Sequence, residues 1–159
     1  METKHTIRGT AMKVSTKGRY ALRLLVDLAR HEQDGVIALK DIAARQEVSK
    51  KYLEQIVRNL TKAGILRTTR GFLGGYQLAR APADITLGEV LFATETEMSV
   101  VDCLKPGQEC GRHDTCATFA VWKGLNDVIA NYLNSISLQT ILDNSKEGWG
   151  GGCMIDKTQ

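Results

Sequence analysis

The chain has 159 residues, of which 43% are hydrophobic, and a formal net charge of +3. These values are ordinary for a globular protein, and the length suits one domain with an added element for self-association. Because no run of residues approaches the roughly 18 apolar positions of a membrane span and the first residues lack a signal-peptide pattern, we expect a cytoplasmic protein without membrane contact.

The N-terminal part of the chain has the pattern of a helix-turn-helix. Residues 1–11 lack periodicity and are expected to form a disordered extension, while residues 12–97 form the first domain. In that domain Ser15 or Thr16 can cap a first helix and Ser49 can cap a later one, and the apolar residues of both helices recur at helical spacing. Two short helices joined by a three-residue turn are typical of a DNA-reading unit. Helices are predicted at residues 15–31, 39–46 and 50–63.

The helix at 50–63 has a polar face near its N-terminus, as a recognition helix needs. Lysine and arginine suit phosphate or guanine, glutamine suits adenine, and a carboxylate can accept from cytosine. The Glu54 carboxylate cannot bind a DNA phosphate, so we expect it either to read a base or to be held away from the major groove. The polar face consists of Lys50, Lys51, Glu54, Gln55 and Arg58.

The period of the pattern changes after Gly64, which ends the helix. Residues 65–70 are rich in β-branched side chains, residues 71–75 are a glycine-rich turn, and residues 76–79 can return as a second strand. A hairpin directly after a recognition helix is a wing, and Arg70 and Gly71 lie where it could approach DNA.

The charge distribution supports the same interpretation. Residues 12–80 contain 14 Lys/Arg and 6 Asp/Glu, a net charge of +8, whereas residues 81–159 contain 5 Lys/Arg and 11 Asp/Glu, a net charge of −6. A basic front half beside an acidic back half is expected of a nucleic-acid reader with a separate effector or dimerisation part.

The C-terminal half divides into a loop, a helix and a tail. Thr86 and Glu89 form a capping-box pattern that opens a short helix. Residues 98–116 contain three cysteines, and residues 117–144 contain a long helix and a shorter cap helix that we expect to mediate dimerisation. Residues 145–159 are expected to be a flexible tail. The predicted seam of period 3.5 comprises Trp122, Leu125, Ile129, Tyr132 and Ile136.

The three cysteines follow the spacing Cys-x6-Cys-x5-Cys in this loop. Several thiolates in one short segment can hold a soft metal or an iron–sulfur cluster. A structural zinc site generally has a narrower gap in at least one pair, and a thiol switch would need a lowered pKa. A cluster, a zinc site, a metal-free redox switch and inert cysteines therefore stay open at Cys103, Cys110 and Cys116.

Together these strings resemble the winged-helix regulators of the IscR type, a family that also includes NsrR, RirA and CymR. The resemblance covers residues 12–144 and is carried by the KGRYAL start, the YLEQ core of the recognition helix and the RG-x-x-GGY wing. It implies a mainly α fold with a small β-hairpin, a winged helix-turn-helix followed by a long dimerisation helix.

The same resemblance implies a homodimeric, sequence-specific regulator of transcription that binds double-stranded promoter DNA. An iron–sulfur cluster of the 2Fe–2S type on Cys103, Cys110 and Cys116 would control it, with repression of genes for cluster assembly or for iron and sulfur supply and with cluster-assembly proteins as further partners. The implied DNA contacts are Ser49, Lys51, Tyr52, Glu54, Gln55 and Arg70, to which the polar pattern adds Lys50, Arg58 and Gly71.

One departure from the family concerns the fourth cluster ligand. The family's histidine, three residues after the last cysteine, is replaced by Phe119, and Arg19 stands where NsrR-type members carry an acid. His113, Cys153, a residue of the partner chain and a small thiol all stay open for this role.

Two other functions remain as alternatives. One is a metal-free or zinc-bound thiol sensor that regulates cysteine metabolism on the same fold, and the other is a cluster carrier or electron-transfer protein that does not bind DNA. The sequence has no nucleophile with a neighbouring base, no phosphate-binding loop and no HExxH motif, so we expect no enzymatic activity.

Overall fold

A computed structural model of the chain describes residues 13–108 and 110–146. It confirms the mainly α fold with one two-stranded antiparallel sheet. The predictions for residues 1–11, for the tail from residue 147 onward and for Cys153 lie outside the described residues. The elements are α1 (Thr16–Arg30), α2 (Leu39–Gln46), α3 (Lys50–Lys62), β1 (Leu66–Thr69), β2 (Gly75–Leu78), α4 (Leu87–Thr94), α5 (Phe119–Ser135) and α6 (Leu138–Lys146).

The predicted caps determine where three of the helices begin. The side chain of Ser15 accepts a hydrogen bond from the Gly18 amide (3.1 Å), and that of Ser49 accepts one from the Tyr52 amide (3.2 Å). At α4 the Thr86 side chain and the Glu89 carboxylate form the reciprocal capping box. Each cap satisfies an amide that the first turn of a helix leaves unpaired.

The core lies under α1, α2, α3 and the hairpin. Leu24 of α1, Ile42 of α2 and Leu53 of α3 are fully buried, which is the outcome expected for apolar positions at helical spacing. A residue with left-handed backbone, Glu47 (φ 54°), reverses the chain between α2 and α3. The predicted three-residue turn between α2 and α3 is therefore confirmed.

A buried ion pair fastens α1 to α2. Asp27 is 3% exposed, and its carboxylate accepts two hydrogen bonds from Arg45 Nε (2.9 and 3.1 Å) and one from the Gln46 amide (3.4 Å). The ring of His31 lies against the same carboxylate (2.9 Å). Burying a carboxylate is costly unless it is paired, so this cluster favours one arrangement of the helix pair.

The segment after α5 returns to the N-terminal domain. Leu138 and Leu142 of α6 are buried in the same core as α1, and the Leu138 amide donates to the Ile85 carbonyl (2.8 Å). By contrast, α5 buries none of its residues and stands outside that core. Among the described helices, none combines the length and the apolar character that crossing a membrane requires.

Candidate nucleic-acid interface and cysteine loop

The polar face of α3 is exposed as predicted. Leu53, Ile56 and Val57 face the core, which turns the intervening positions to solvent. Lys17 of α1 lies beside this face and lines a shallow depression together with α3 side chains. We call this set the reading surface: Lys17, Lys50, Lys51, Glu54, Gln55 and Arg58.

Most cations of the reading surface are available to an external anion. Within the described residues, Lys51, Arg58 and Arg70 have no hydrogen-bond or ion-pair partner. Lys50 is the exception, because its Nζ lies 3.8 Å from the Glu54 carboxylate. That weak exposed contact places a positive charge beside the one acidic group of the reading surface.

Two further predicted contact residues have partners inside the protein. Ser49 uses its oxygen to cap α3, which leaves its O–H free to donate outward. Tyr52 is half-buried, and its ring lies edge-on to Tyr20 with 5.9 Å between centroids. The guanidinium of Arg23 lies over the Tyr20 ring, 4.9 Å from its centroid. Tyr52 therefore also fixes the position of the first turn of α3 against α1.

The hairpin lies beside α3, in the position of a wing. Leu66 pairs with Leu78 and Thr69 with Gly75, close to the strand limits that the sequence predicted. The wing lies alongside α3, since Glu54 and Arg58 line one cleft together with Thr68. The reading surface and the wing thus form a continuous exposed surface.

The wing is joined to the body of the domain by a pairing that the sequence did not reveal. Ile37 forms an isolated bridge with Tyr76, with two backbone hydrogen bonds of 3.0 and 2.8 Å. Gly75 permits it, because a Cβ at that position would collide with the Ile37 carbonyl. A third extended segment therefore holds β2 in place.

The cysteine loop (residues 98–116) carries its three cysteines half-buried and free. Cys103 lies in the short 3-10 turn Asp102–Leu104, and Cys116 lies just before α5. Lys105 contacts Asp102 (2.6 Å) and Glu97 (3.2 Å), and these partners, Asp102 first, raise the pKa of the Lys105 ammonium. These contacts hold the first part of the loop together and join it to the segment just before it.

Cys116 has the environment of a reactive or metal-binding thiol. Its Sγ lies 3.4 Å from the Thr118 hydroxyl. That hydrogen bond is the main cause that lowers the pKa of the Cys116 thiol, followed by the backbone amide of Thr118. Because metals and oxidants react with thiolates, the lowered pKa favours both kinds of chemistry at this position.

The loop contains side chains that can bind a metal, but the described ones do not converge on one site. Among residues 13–108 and 110–146, no group of three or more His, Cys, Asp or Glu side chains could hold a metal ion. His113, one candidate fourth ligand, packs its ring edge-on to Phe119 at 4.2 Å and places Nδ1 2.9 Å from the Asp114 carboxylate. The chemistry of the donors thus fits a cluster, and binding one would require the loop to close.

A contact that the sequence did not indicate links the segment before the cysteine loop to the cap of α1. The Glu95 carboxylate accepts from the Ser15 amide (3.1 Å) and from the Ser15 hydroxyl (2.8 Å). Gly18 allows this approach, because a Cβ there would collide with the same carboxylate. Glu95 directly follows α4, so it connects the segment before the cysteines to the start of α1. In the sequence Ser15 has the pattern of an ordinary helix cap, and nothing nearby in the chain indicates that it also binds Glu95.

The outer face of α5 is an exposed apolar stripe. It agrees with the predicted seam at Trp122, Leu125 and Tyr132, whereas Ile129 and Ile136 are half-buried. Ile129 instead lines a cleft with Phe92 of α4. The exposed stripe consists of Val121, Trp122, Leu125, Val128 and Tyr132.

Comparison with known proteins gives consistent relatives. Residues 14–144 match the Rrf2 family, described as iron-dependent transcriptional regulators. The HTH-type transcriptional regulator IscR of Photorhabdus laumondii is 39% identical over 136 residues, which cover 85% of this chain and 82% of that protein.

Two solved structures share the fold. IscR from T. potens aligns with a TM-score of 0.68 and 36% identity over 89% of this chain and 94% of its own. CymR, described as the global cysteine regulator of B. subtilis, aligns with a TM-score of 0.66 and 32% identity over 84% of this chain and 98% of its own.

Proposed function

Because this chain belongs to the Rrf2 family of transcriptional regulators, we propose that it binds promoter DNA as a homodimer under the control of an iron–sulfur cluster. A family of transcriptional regulators also means that the chain is not an enzyme. The observation that carries the proposal is the continuous surface of α3 and the wing, whose Lys51, Arg58 and Arg70 are free to bind phosphate.

In this proposal the reading surface separates affinity from sequence recognition. Lys17, Lys51 and Arg58 neutralise phosphates, which positions α3 without reading bases. Gln55 and Glu54 face outward from the first two turns and read base edges in the major groove. Ser49, Lys50, Tyr52, Arg70 and Gly71 complete the proposed contacts.

Replacing Arg58 with alanine is expected to weaken binding to all duplexes by a similar factor. The side chain contributes a phosphate contact, so the slope of log K against log salt should become shallower by about 0.9. Titration at several salt concentrations measures this slope. A variant that loses affinity for one sequence only, with the original slope, would instead assign Arg58 to base recognition.

Replacing Gln55 with alanine is expected to cost about 1–3 kcal/mol at a single base position. The salt slope should stay at its wild-type value, because the glutamine carries no charge. Sequence preference can be measured by selection from a randomised duplex pool, with Arg58→Ala as the matched variant that changes affinity alone. An unchanged preference in Gln55→Ala would remove its base-reading role.

The proposed cluster ligands are Cys103, Cys110 and Cys116, and a 2Fe–2S type is the one that the family resemblance favours. The fraction of the protein that carries a cluster at these cysteines would depend on the supply of iron and sulfide and on oxidants. His113 and Cys153 remain candidates for the fourth ligand. We propose genes of cluster assembly or of iron and sulfur supply as targets, and cluster-assembly proteins as further partners.

Closure of the cysteine loop has a direct route to the DNA-reading domain. Residues 95–97 precede the loop, and Glu95 holds the cap of α1 through two hydrogen bonds. A shift of Glu95 would therefore move Ser15 and, with it, the first turn of α1 that carries Lys17. Since only a differential affinity can shift such an equilibrium, holo and apo forms must differ in DNA affinity.

The exposed stripe of α5 is the proposed dimer interface. Its apolar side chains lie outside the chain's own core, and a two-fold partner would remove them from water. A two-fold dimer would also present two recognition helices to adjacent major grooves, as palindromic operators require.

The deciding experiment is anaerobic purification followed by DNA binding of the coloured and the chelator-treated protein to duplexes selected from a random pool. The proposal predicts a visible absorption band, iron and sulfide in the protein, and different affinities for the two forms. Equal affinities for every selected duplex would refute cluster control.

One second function has an observation in its favour. The lowered pKa of the Cys116 thiol suits a metal-free redox switch on the same fold. Such a protein would be colourless after anaerobic purification, and mild oxidation in place of chelation would change its DNA affinity.

A further inference from the structure

Two large apolar side chains form the tip of the wing. Phe72 is fully exposed and Leu73 is 85% exposed. Exposed apolar residues are common on protein surfaces, so their exposure alone indicates nothing. The informative features are their position at the apex of a hairpin, the rigidity of that apex and the charges around it.

The apex holds both side chains in a defined turn. The Gly74 amide donates to the Gly71 carbonyl (3.0 Å), which makes Phe72 and Leu73 the two central residues of a β-turn. Gly71 has a φ of 114°, a conformation that favours glycine. A Cβ at Gly74 would lie 2.5 Å from the Thr69 carbonyl oxygen. The glycines thus allow a tight turn whose only side chains are apolar and point away from the body.

The hairpin that carries the tip and the adjoining face of α3 are cationic. Arg70 precedes the turn and has no partner among the described residues. Arg67, on β1, is the cross-strand partner of Gln77 on β2. Arg58 and Lys62 line the cleft between α3 and β1. A hairpin with an apolar tip, with Arg70 beside the turn and with further cations along its arm and the adjoining face of α3, is complementary to a polyanion that also offers apolar faces.

From this arrangement we infer that Phe72 and Leu73 are an apolar wedge that enters the DNA minor groove and opens a base step. Side chains of this kind unstack neighbouring bases and bend the duplex toward the major groove. The inference rests on the proposed function, since it requires a DNA complex. With α3 in the major groove, the adjacent hairpin can reach the neighbouring minor groove, and the surrounding arginines can neutralise the phosphates on either side.

The wedge would also add a form of sequence preference that the reading surface lacks. Pyrimidine–purine steps such as TA and CA unstack at low cost, so sites with such a step under the wing would be preferred although no side chain reads those bases. The wing would then contribute specificity by deformation, while Gln55 and Glu54 contribute it by hydrogen bonding.

The test uses the full chain as purified, with a duplex of about three helical turns that the wild type selects from a random pool. Donor and acceptor dyes at the two ends report bending, anisotropy reports affinity, and 2-aminopurine scanned along the strand reports local unstacking. The variants are F72A/L73A, which removes the wedge, F72L/L73M, which keeps an apolar tip, and F72K/L73K, which replaces the wedge by charge. Thermal unfolding of each variant checks that the exposed turn is not needed for folding.

We expect F72A/L73A to lose the bend and the 2-aminopurine signal and to bind about ten- to a hundredfold more weakly, as losing the burial of apolar side chains implies. Its salt slope should stay unchanged, because no phosphate contact is removed. F72L/L73M should keep the bend, and F72K/L73K should lose it while its salt slope becomes steeper.

Two results would overturn the wedge, and they differ from each other. If the wild type binds the selected duplex and F72A/L73A shows the same bend, unstacking and affinity, the tip serves another purpose, such as a protein contact. If the wild type selects no duplex and shows no salt-dependent affinity, the proposed function fails first and the wedge fails with it.

Discussion

Replacing Cys110 with alanine is expected to abolish the visible absorption of the anaerobically purified protein and its bound iron and sulfide. Cys110 is the middle one of three free cysteines in the loop, and cluster assembly needs each thiolate because iron lacks another soft donor there. DNA affinity of the variant should equal that of the chelated wild type. The measurement combines an absorption spectrum, iron and sulfide assays and a duplex titration.

A matched control for Cys110→Ala is Thr115→Ala, an exposed position in the same loop. It should keep the colour and the iron content, since it supplies no ligand. Iron and sulfide at wild-type levels in Cys110→Ala would contradict the proposed ligand set. Once a cluster is established, His113→Ala and Cys153→Ala decide which of these residues completes it, because the correct one should lower iron retention while the other should not.

Replacing Gly75 with alanine is expected to destabilise the fold by about 3 kcal/mol, near the upper end of ordinary single substitutions. The added Cβ collides with the carbonyl of Ile37, which is backbone and cannot rotate away. Relief requires separating the segment at Ile37 from β2 and breaking the two hydrogen bonds of 3.0 and 2.8 Å with Tyr76. Chemical unfolding measures the loss, and a duplex titration should show weaker binding because the wing is no longer fixed.

Gly64→Ala is the matched control for Gly75→Ala. Gly64 has a φ of 71°, a conformation that favours glycine, but a Cβ there meets nothing within 4 Å, so it tests conformational strain without a clash. Its cost should stay near 1 kcal/mol, the conformational penalty alone. Gly75 has no positive φ, so the clash alone must account for its cost, and a Gly75→Ala cost near zero would mean that the close approach of Ile37 to β2 has no energetic weight.

The helix-turn-helix also contains a charged group in its interior, and the structure shows how that charge is paired. Asp27 is buried, yet Arg45 reaches it from α2 while keeping part of its own side chain exposed to solvent. Such a pair gives orientation more than net stability, because desolvation offsets much of the attraction. A helix that reads DNA needs a fixed orientation, because its side chains must contact bases and phosphates of the duplex at the same time.

The amino-acid sequence by itself determined the local elements of this regulator. Helices α2 and α3 were predicted within a residue of their observed limits, since apolar spacing, the Ser49 cap and Gly64 all act within one or two turns. The exposed polar face of α3 followed from the same spacing. The wing was predicted equally well, because its glycines and β-branched residues act locally.

Only the tertiary structure decided how distant segments meet. The Asp27–Arg45 pair, the bridge from Ile37 to Tyr76 and the Glu95–Ser15 contact join residues 18 to 80 positions apart, and no local pattern specifies such partners. Packing also assigned Ile129 to the cleft facing α4 and returned Leu138 to the core of the DNA-reading domain. Residue type indicates what a side chain can do, whereas the packing of the whole chain decides which neighbours it has.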